Sequence, residues 1–120
     1  MKRITEVDGY KIAKAYKCDE KGKIYGYDHE SDKYEEMNTT YNNIGYEQVS
    51  LRINNDKDRK TFLVHRVIAN TFIKKLPKNS KEVINHKDSN IKNNKLSNLE
   101  IVSKSDNMKH MHEKGRHKIS

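Results

Sequence analysis

Residues 83–107 read VINHKDSNIKNNKLSNLEIVSKSDN, a stretch in which one histidine closes a short apolar run and asparagines follow at two fixed distances. Val83-Ile84 is a β-branched pair leading into Asn85-His86, Asp88-Ser89-Asn90 has turn composition, and Leu99-Glu100-Ile101-Val102 is a second apolar piece. Asn98 stands twelve residues after His86, where the second piece begins, and Asn107 nine residues further on. Ser103 with Asp106 three residues later resembles a capping box with a shorter acid, so a helix is expected to start there with Asn107 in its first turn. The expected order is a ββα unit: His86 on the first strand, Asn98 at the start of the second, Asn107 on the helix.

Upstream of this unit, Val64, Val67, Ile68 and Phe72 recur at intervals of three and four, which predicts a helix with one apolar stripe that ends before Pro77. Earlier still, Tyr46–Ile53 and Thr61–Val64 are β-prone runs separated by Asn54-Asn55-Asp56-Lys57-Asp58, residues suited to a turn, and they predict an antiparallel hairpin over 46–64. Lys23-Ile24-Tyr25 after a Gly22 turn adds a further strand. All seven tyrosines fall within the first 46 residues, where packing on a sheet is their expected use. The fold class expected is α+β. Residues 1–62 would form a small antiparallel sheet, 63–113 a helix plus the ββα core, and 114–120 a basic tail.

Composition limits what such a chain can be. With 120 residues, 32% of them hydrophobic against 35% charged, the core must be thin. A mean hydropathy of −1.13 and no apolar run near the roughly 20 residues of a membrane span argue against a membrane protein. Met1-Lys2-Arg3-Ile4-Thr5-Glu6 lacks the apolar stretch of a secretory signal, so an intracellular site is expected. The single cysteine, Cys18, permits no internal disulfide and no cysteine zinc site; it is expected to be half-buried, and any metal must rest on nitrogen and oxygen ligands. The net charge of +8 is unevenly placed: residues 1–50 hold 8 Lys/Arg against 10 Asp/Glu, residues 51–120 hold 17 against 7. A basic half of this kind suits a polyanion, most economically nucleic acid. Single-stranded RNA is the weaker choice, because the basic half has no evident aromatic platform for splayed bases.

The 83–107 stretch resembles the HNH motif of the ββα-metal endonucleases, in the version carried by phage and intron-encoded homing endonucleases. The piece from Gly45-Tyr46 through Lys60-Thr61-Phe62-Leu63-Val64-His65-Arg66-Val67-Ile68-Ala69 is similar to the region before the motif in those enzymes, so the resemblance covers roughly residues 20–112. It implies metal-dependent hydrolysis of DNA phosphodiester bonds, leaving 5′-phosphate and 3′-hydroxyl ends. By the same resemblance His86 is the general base, Asn98 orients it through its carboxamide oxygen, and Asn85 with Asn107 hold one divalent ion, Mg²⁺ or Mn²⁺. Imidazole suits the first task because it changes charge in the physiological range, and amide oxygens with retained water suit such ions.

Cations flank the expected site. Arg52, Lys57, Arg59 and Lys60 line the hairpin, which in the resembling enzymes contacts DNA; Arg66 near a helix start and Lys87, Lys92 and Lys95 in the loop are candidate phosphate contacts. Asn90, Asn93 and Asn94 are expected to serve turn geometry. His65 suits a satisfied core position or a functional one; His110 and His112 are expected to meet solvent or phosphate, with His110, three residues after Asn107 on the same helical face, the one that could instead join the metal, while His112 points elsewhere. The partner expected is double-stranded DNA, met by a monomer in the cytoplasm of a bacterial host, from a phage-borne gene. Three positions depart from the family pattern: Asn85 where some relatives have Asp, Ser89 where they often have Gly, and Ile101 where they often have Trp. With neutral amides as the protein ligands, the alternative is a DNA-binding protein whose HNH motif no longer cuts.

Overall fold

Short strands and tight turns dominate the start of the computed structural model, which describes residues 1–53, 57–77 and 79–103. They are β1 (Lys2–Arg3), β2 (Glu6–Val7), β3 (Tyr10–Lys11), β4 (Tyr16–Cys18), β5 (Ile24–Asp28), β6 (Lys33–Glu36) and β7 (Thr40–Tyr41). Asp8-Gly9 joins β2 to β3 with both residues at positive φ, 53° and 86°, the backbone a two-residue hairpin needs and one that Asp and Gly tolerate. β1, β4, β5 and β6 form one antiparallel sheet in that spatial order.

The longer pair is β8 (Glu47–Ile53) with β9 (Asp58–Leu63), as the alternation of Val49, Leu51 and Ile53 with polar neighbours predicts. Residues 54–56 of its expected turn lie outside the described residues. β9 passes directly into α1 (Val64–Phe72), and Leu63 serves as both last strand residue and N-cap. Val64, Val67 and Ile68 of the expected stripe are fully buried, and α1 ends before Pro77 as its spacing predicts. Then come β10 (Glu82–His86), a single 3-10 turn at Leu96–Asn98, and β11 (Leu99–Ser103), which pairs with β10 from Glu82↔Ser103 to His86↔Leu99. The helix expected from Ser103 onward, with Asn107, His110, His112 and the basic tail, lies outside the described residues.

The architecture is α+β: small antiparallel sheets around one helix. Its core draws on both sides of residue 62, since Ile4, Val7, Ile24 and Leu51 cluster with Val64, Val67, Ile68 and Leu99. Cys18 is a correction: it is fully buried rather than half-buried, and desolvation pushes its thiol up to about 11, which keeps it protonated and unreactive. Asn70 on α1 ties three segments together. Its Oδ1 accepts from the backbone N–H of Asp8 (3.3 Å) and of Leu76 (2.8 Å), and its Nδ2 donates to the Arg66 carbonyl (2.8 Å).

Candidate active site

His86 ends β10 and is only 7% exposed. Its ring meets that of His65 on α1 edge to face, with centroids 4.8 Å apart and planes at 66°. Tyr46, just before β8, lies 5.4 Å from His65 and 6.4 Å from His86. His65 is held neutral: burial first, then electrostatic opposition from the neighbouring His86 and Arg66, push its imidazole down to about 3. His65 is therefore packing for the His86 ring and carries no charge at physiological pH.

The partner of the His86 ring is Asn94. Asn94 Oδ1 lies 2.9 Å from His86 Nε2, and Asn94 Nδ2 donates to Glu47 Oε1 at 3.0 Å. Glu47 Oε2 in turn accepts from Thr39 Oγ1 at 2.5 Å. Asn94 is 5% exposed and its backbone is crowded by Gly22, at φ +89°, where an added Cβ would sit 2.7 Å from the Asn94 carbonyl oxygen. Beside it, Leu96 N–H donates to the Glu20 carbonyl at 2.8 Å. The β4–β5 turn thus presses on the loop that holds the ring.

Asn98 makes different bonds from those expected. Its Oδ1 accepts from the backbone N–H of Asp88 (3.1 Å), and its Nδ2 donates to Asp88 Oδ1 (3.0 Å) and the Asn93 carbonyl (2.9 Å). The oxygen expected on the imidazole is thereby spent on the loop, because Asn98 sits in the 3-10 turn under the β10–β11 connection. Asp88 organises the same loop: hydrogen bonds from Asn93, the Asn90 backbone and Asn98 hold its carboxyl below the usual range. Ser89 adopts φ +65°, a left-handed conformation that glycine takes at no steric cost. Asn90 and Asn93 serve turn geometry as expected; Asn94 does not, because its side chain points inward to the ring.

Asn85 precedes His86 on β10, so the pleat sends the two side chains to opposite faces. Asn85 Nδ2 donates to Glu100 Oε2 across the strand pair at 2.8 Å. No hydrogen bond among the described residues is made to the carboxamide oxygen of Asn85, which lies next to a carboxylate. Among the described residues no group of three or more His, Cys, Asp or Glu is placed to hold a metal ion. Asn107, the other expected ligand, lies outside the described residues.

The cations divide by surroundings. Arg52 and Arg59 oppose one another across β8 and β9 and share the outward face, where Arg59 also donates to Ser50 Oγ and its carbonyl oxygen. Lys57 is exposed in the turn, whereas Lys60 is on the other face with its ammonium 4.9 Å from the Tyr10 ring centroid. Arg66 is tied to Asp8 at 2.5 Å, which compromises it as a phosphate contact. Lys92 stands 5.2 Å over Tyr41, and Lys87 and Lys95 are exposed.

Glu47 was not singled out by the sequence, and Asn94 was read there only as a turn residue. Glu47 lies inside a recognisable strand and 47 positions from its partner, with no local signal to mark it.

A two-stranded ribbon that ends on a buried histidine, with asparagine-locked loop and neighbouring helix, has the layout of an HNH nuclease. Residues 62–109 match the family model of the HNH endonucleases, and over this stretch the chain is similar to that family. A protein named as an uncharacterised HNH endonuclease, L245 of Acanthamoeba polyphaga mimivirus, is 45% identical over 75 residues, 62% of this chain and 22% of that protein. YosQ, an SPbeta prophage-derived protein of Bacillus subtilis (strain 168) named as an HNH homing endonuclease, is 39% identical over 66 residues, 55% of this chain and 36% of its own length. The chain thus spans well under half of either relative. Among solved structures, the HNH homing endonuclease I-HmuI, described in its DNA binding and cleavage, matches with a TM-score of 0.69 and 26% identity, over 95% of this chain and 60% of that one. No helix among the described residues is long and apolar enough to cross a membrane.

Proposed function

We propose that the chain is a divalent-metal-dependent endonuclease that hydrolyses phosphodiester bonds of double-stranded DNA as a monomer, with His86 as general base. The observation that carries this reading is the position of His86: a rigid, nearly buried imidazole at the end of β10, inside the segment that matches the HNH family. His86 takes a proton from water as the water oxygen bonds to phosphorus; the bond to the 3′ oxygen breaks, that oxygen takes a proton from solvent, and a 5′-phosphate remains. Because Asn85 and His86 leave β10 on opposite faces, the scissile phosphate would lie across the end of the strand pair.

Asn85, through its carboxamide oxygen, and Asn107 would hold the ion. Oxygen donors fit Mg²⁺ or Mn²⁺, and the Glu100 carboxylate beside Asn85 supplies negative charge that two amides lack. When bound, the ion polarises the phosphate and stabilises the departing oxygen. Asn98 contributes by locking the loop after His86. The first 62 residues act as the DNA-contacting extension and residues 63–113 as the nuclease part. Arg52 and Arg59, opposed on the outward ribbon face, would meet the phosphates of the duplex. A homing or phage role in a bacterial cytoplasm accords with the prophage-derived relative.

Supercoiled plasmid with Mg²⁺ or Mn²⁺ provides the test. The parent chain should convert it to the nicked form, and His86→Ala should do so at least ~100-fold more slowly, the scale of a lost general base. Equal nicking by both would remove His86 from the chemistry. No nicking by either, with duplex DNA still bound, would favour a binding protein that no longer cuts.

A further inference from the structure

Asn94 and Glu47, we infer, are positioning residues that fix the tautomer of His86, so that Nδ1 is the atom that accepts the proton. The inference rests on the reading of His86 as general base and adds to it which ring nitrogen acts and what holds it there.

The polarity of the chain follows from Glu47. A carboxylate only accepts hydrogen bonds, so the group of Asn94 that faces Glu47 Oε1 at 3.0 Å must be its NH₂. A carboxamide held that way turns its oxygen to the other side, and there it meets His86 Nε2 at 2.9 Å. An oxygen facing a ring nitrogen requires that nitrogen to carry the hydrogen. Nε2 is then the donor, and in the neutral ring the lone pair is on Nδ1.

The anchors are independent of one another. Glu47 is fixed at its second oxygen by Thr39. The Asn94 backbone is confined by Gly22 and by the neighbouring Leu96–Glu20 bond. His65 and Tyr46 pack on the ring and restrain its plane. The base is thus set by four segments: β8, α1, the β10–β11 loop and, through Gly22, the turn between β4 and β5.

The tautomer can be read without any activity. Long-range ¹H–¹⁵N correlation spectra of the neutral imidazole should show His86 with hydrogen on Nε2 in the intact chain; hydrogen on Nδ1 overturns the inference. Glu47→Ala should yield mixed tautomers and lower kcat for nicking about 10- to 100-fold, the usual effect of losing the group that orients a histidine, with KM for DNA unchanged. Asn94→Asp should do likewise, because it sets two carboxylates against each other. Adding Glu47→Gln to Asn94→Asp should restore both the Nε2–H signal and kcat, since the glutamine NH₂ then donates to the new carboxylate, which still accepts from Nε2. Rescue of this kind separates orientation from simple damage to the fold. If Glu47→Ala leaves tautomer and kcat unchanged while His86→Ala abolishes nicking, the inference fails and the general-base reading stands. If His86→Ala nicks like the parent, that reading fails, while the spectra still decide the tautomer.

Discussion

At the scale of single residues, Asn85 shows how a neighbour changes the meaning of a side chain. By the resemblance read in the sequence, Asn85 and Asn107 would be a neutral pair of ligands, so any ion's charge would fall to the DNA. The structure adds Glu100, which accepts from Asn85 Nδ2 at 2.8 Å. Replacing Asn85 by Asp exchanges a donor for a second carboxylate at that contact. Without metal, Asn85→Asp should lose about 1–3 kcal/mol, the value of a hydrogen bond to a charged group, and Tm should fall by on the order of 5–10 °C. Mg²⁺ or Mn²⁺ should restore much of that Tm, more than it raises the parent's, and cutting should be kept or strengthened. A variant that folds but neither cuts nor gains Tm from the ion would exclude Asn85 as a ligand. Asn98 and Asn94 give the complementary case. Both are asparagines in a polar loop, and only the three-dimensional path decides that one binds the loop and the other the ring.

Among the elements, helix α1 has a buried neutral histidine facing the site. The groups around His65 are Arg66 beside it, Tyr46 ahead of β8 and His86 on β10. Its imidazole is pushed from an ordinary 6.5 down to about 3, so between those values the unfolded chain binds a proton that the folded chain refuses. Stability therefore falls as pH drops through that window. Going from pH 7 to pH 5, His65 alone should cost about 2 kcal/mol. Urea unfolding of the parent and of His65→Phe at both pH values measures it: the variant should lose about 2 kcal/mol less on acidification. Identical losses would mean that His65 is protonated in the folded protein. The helix itself and the β8–β9 pair were legible in the sequence because each repeats its apolar positions over several residues. β1, β2, β3, β6 and β7 were not, since strands of two to four mostly polar residues are specified by distant partners rather than by a local pattern.

For the molecule as a whole, the described cations of the second half differ in which face they occupy and which part of the first half they meet. Arg52 and Arg59 share the outer face of the ribbon, Lys60 covers Tyr10, and Arg66 pairs with Asp8. Replacing Arg52 and Arg59 together by Gln should reduce the slope of log affinity for duplex DNA against log salt by about 2, while Lys60→Gln should change it by less than half as much. Titrations between 50 and 200 mM salt on two unrelated duplexes give the slopes, as ~0.9 is expected per phosphate contact. A change in which duplex is preferred would mean that the ribbon reads bases. The charge asymmetry marked which half is basic; which cations face outward depended on strand register, which the sequence does not state.

Gly22 gives the site a dependence that its compact signature hides. Since any side chain there would collide with the backbone beside the histidine's partner, the N-terminal turn and the loop must have been shaped together. A graft of residues 62–109 into an unrelated scaffold would carry the recognisable letters and leave behind Glu47 and the turn that braces Asn94. Such a chimera would bear the motif without its vise, and protein engineers who want this chemistry elsewhere would have to transplant both halves.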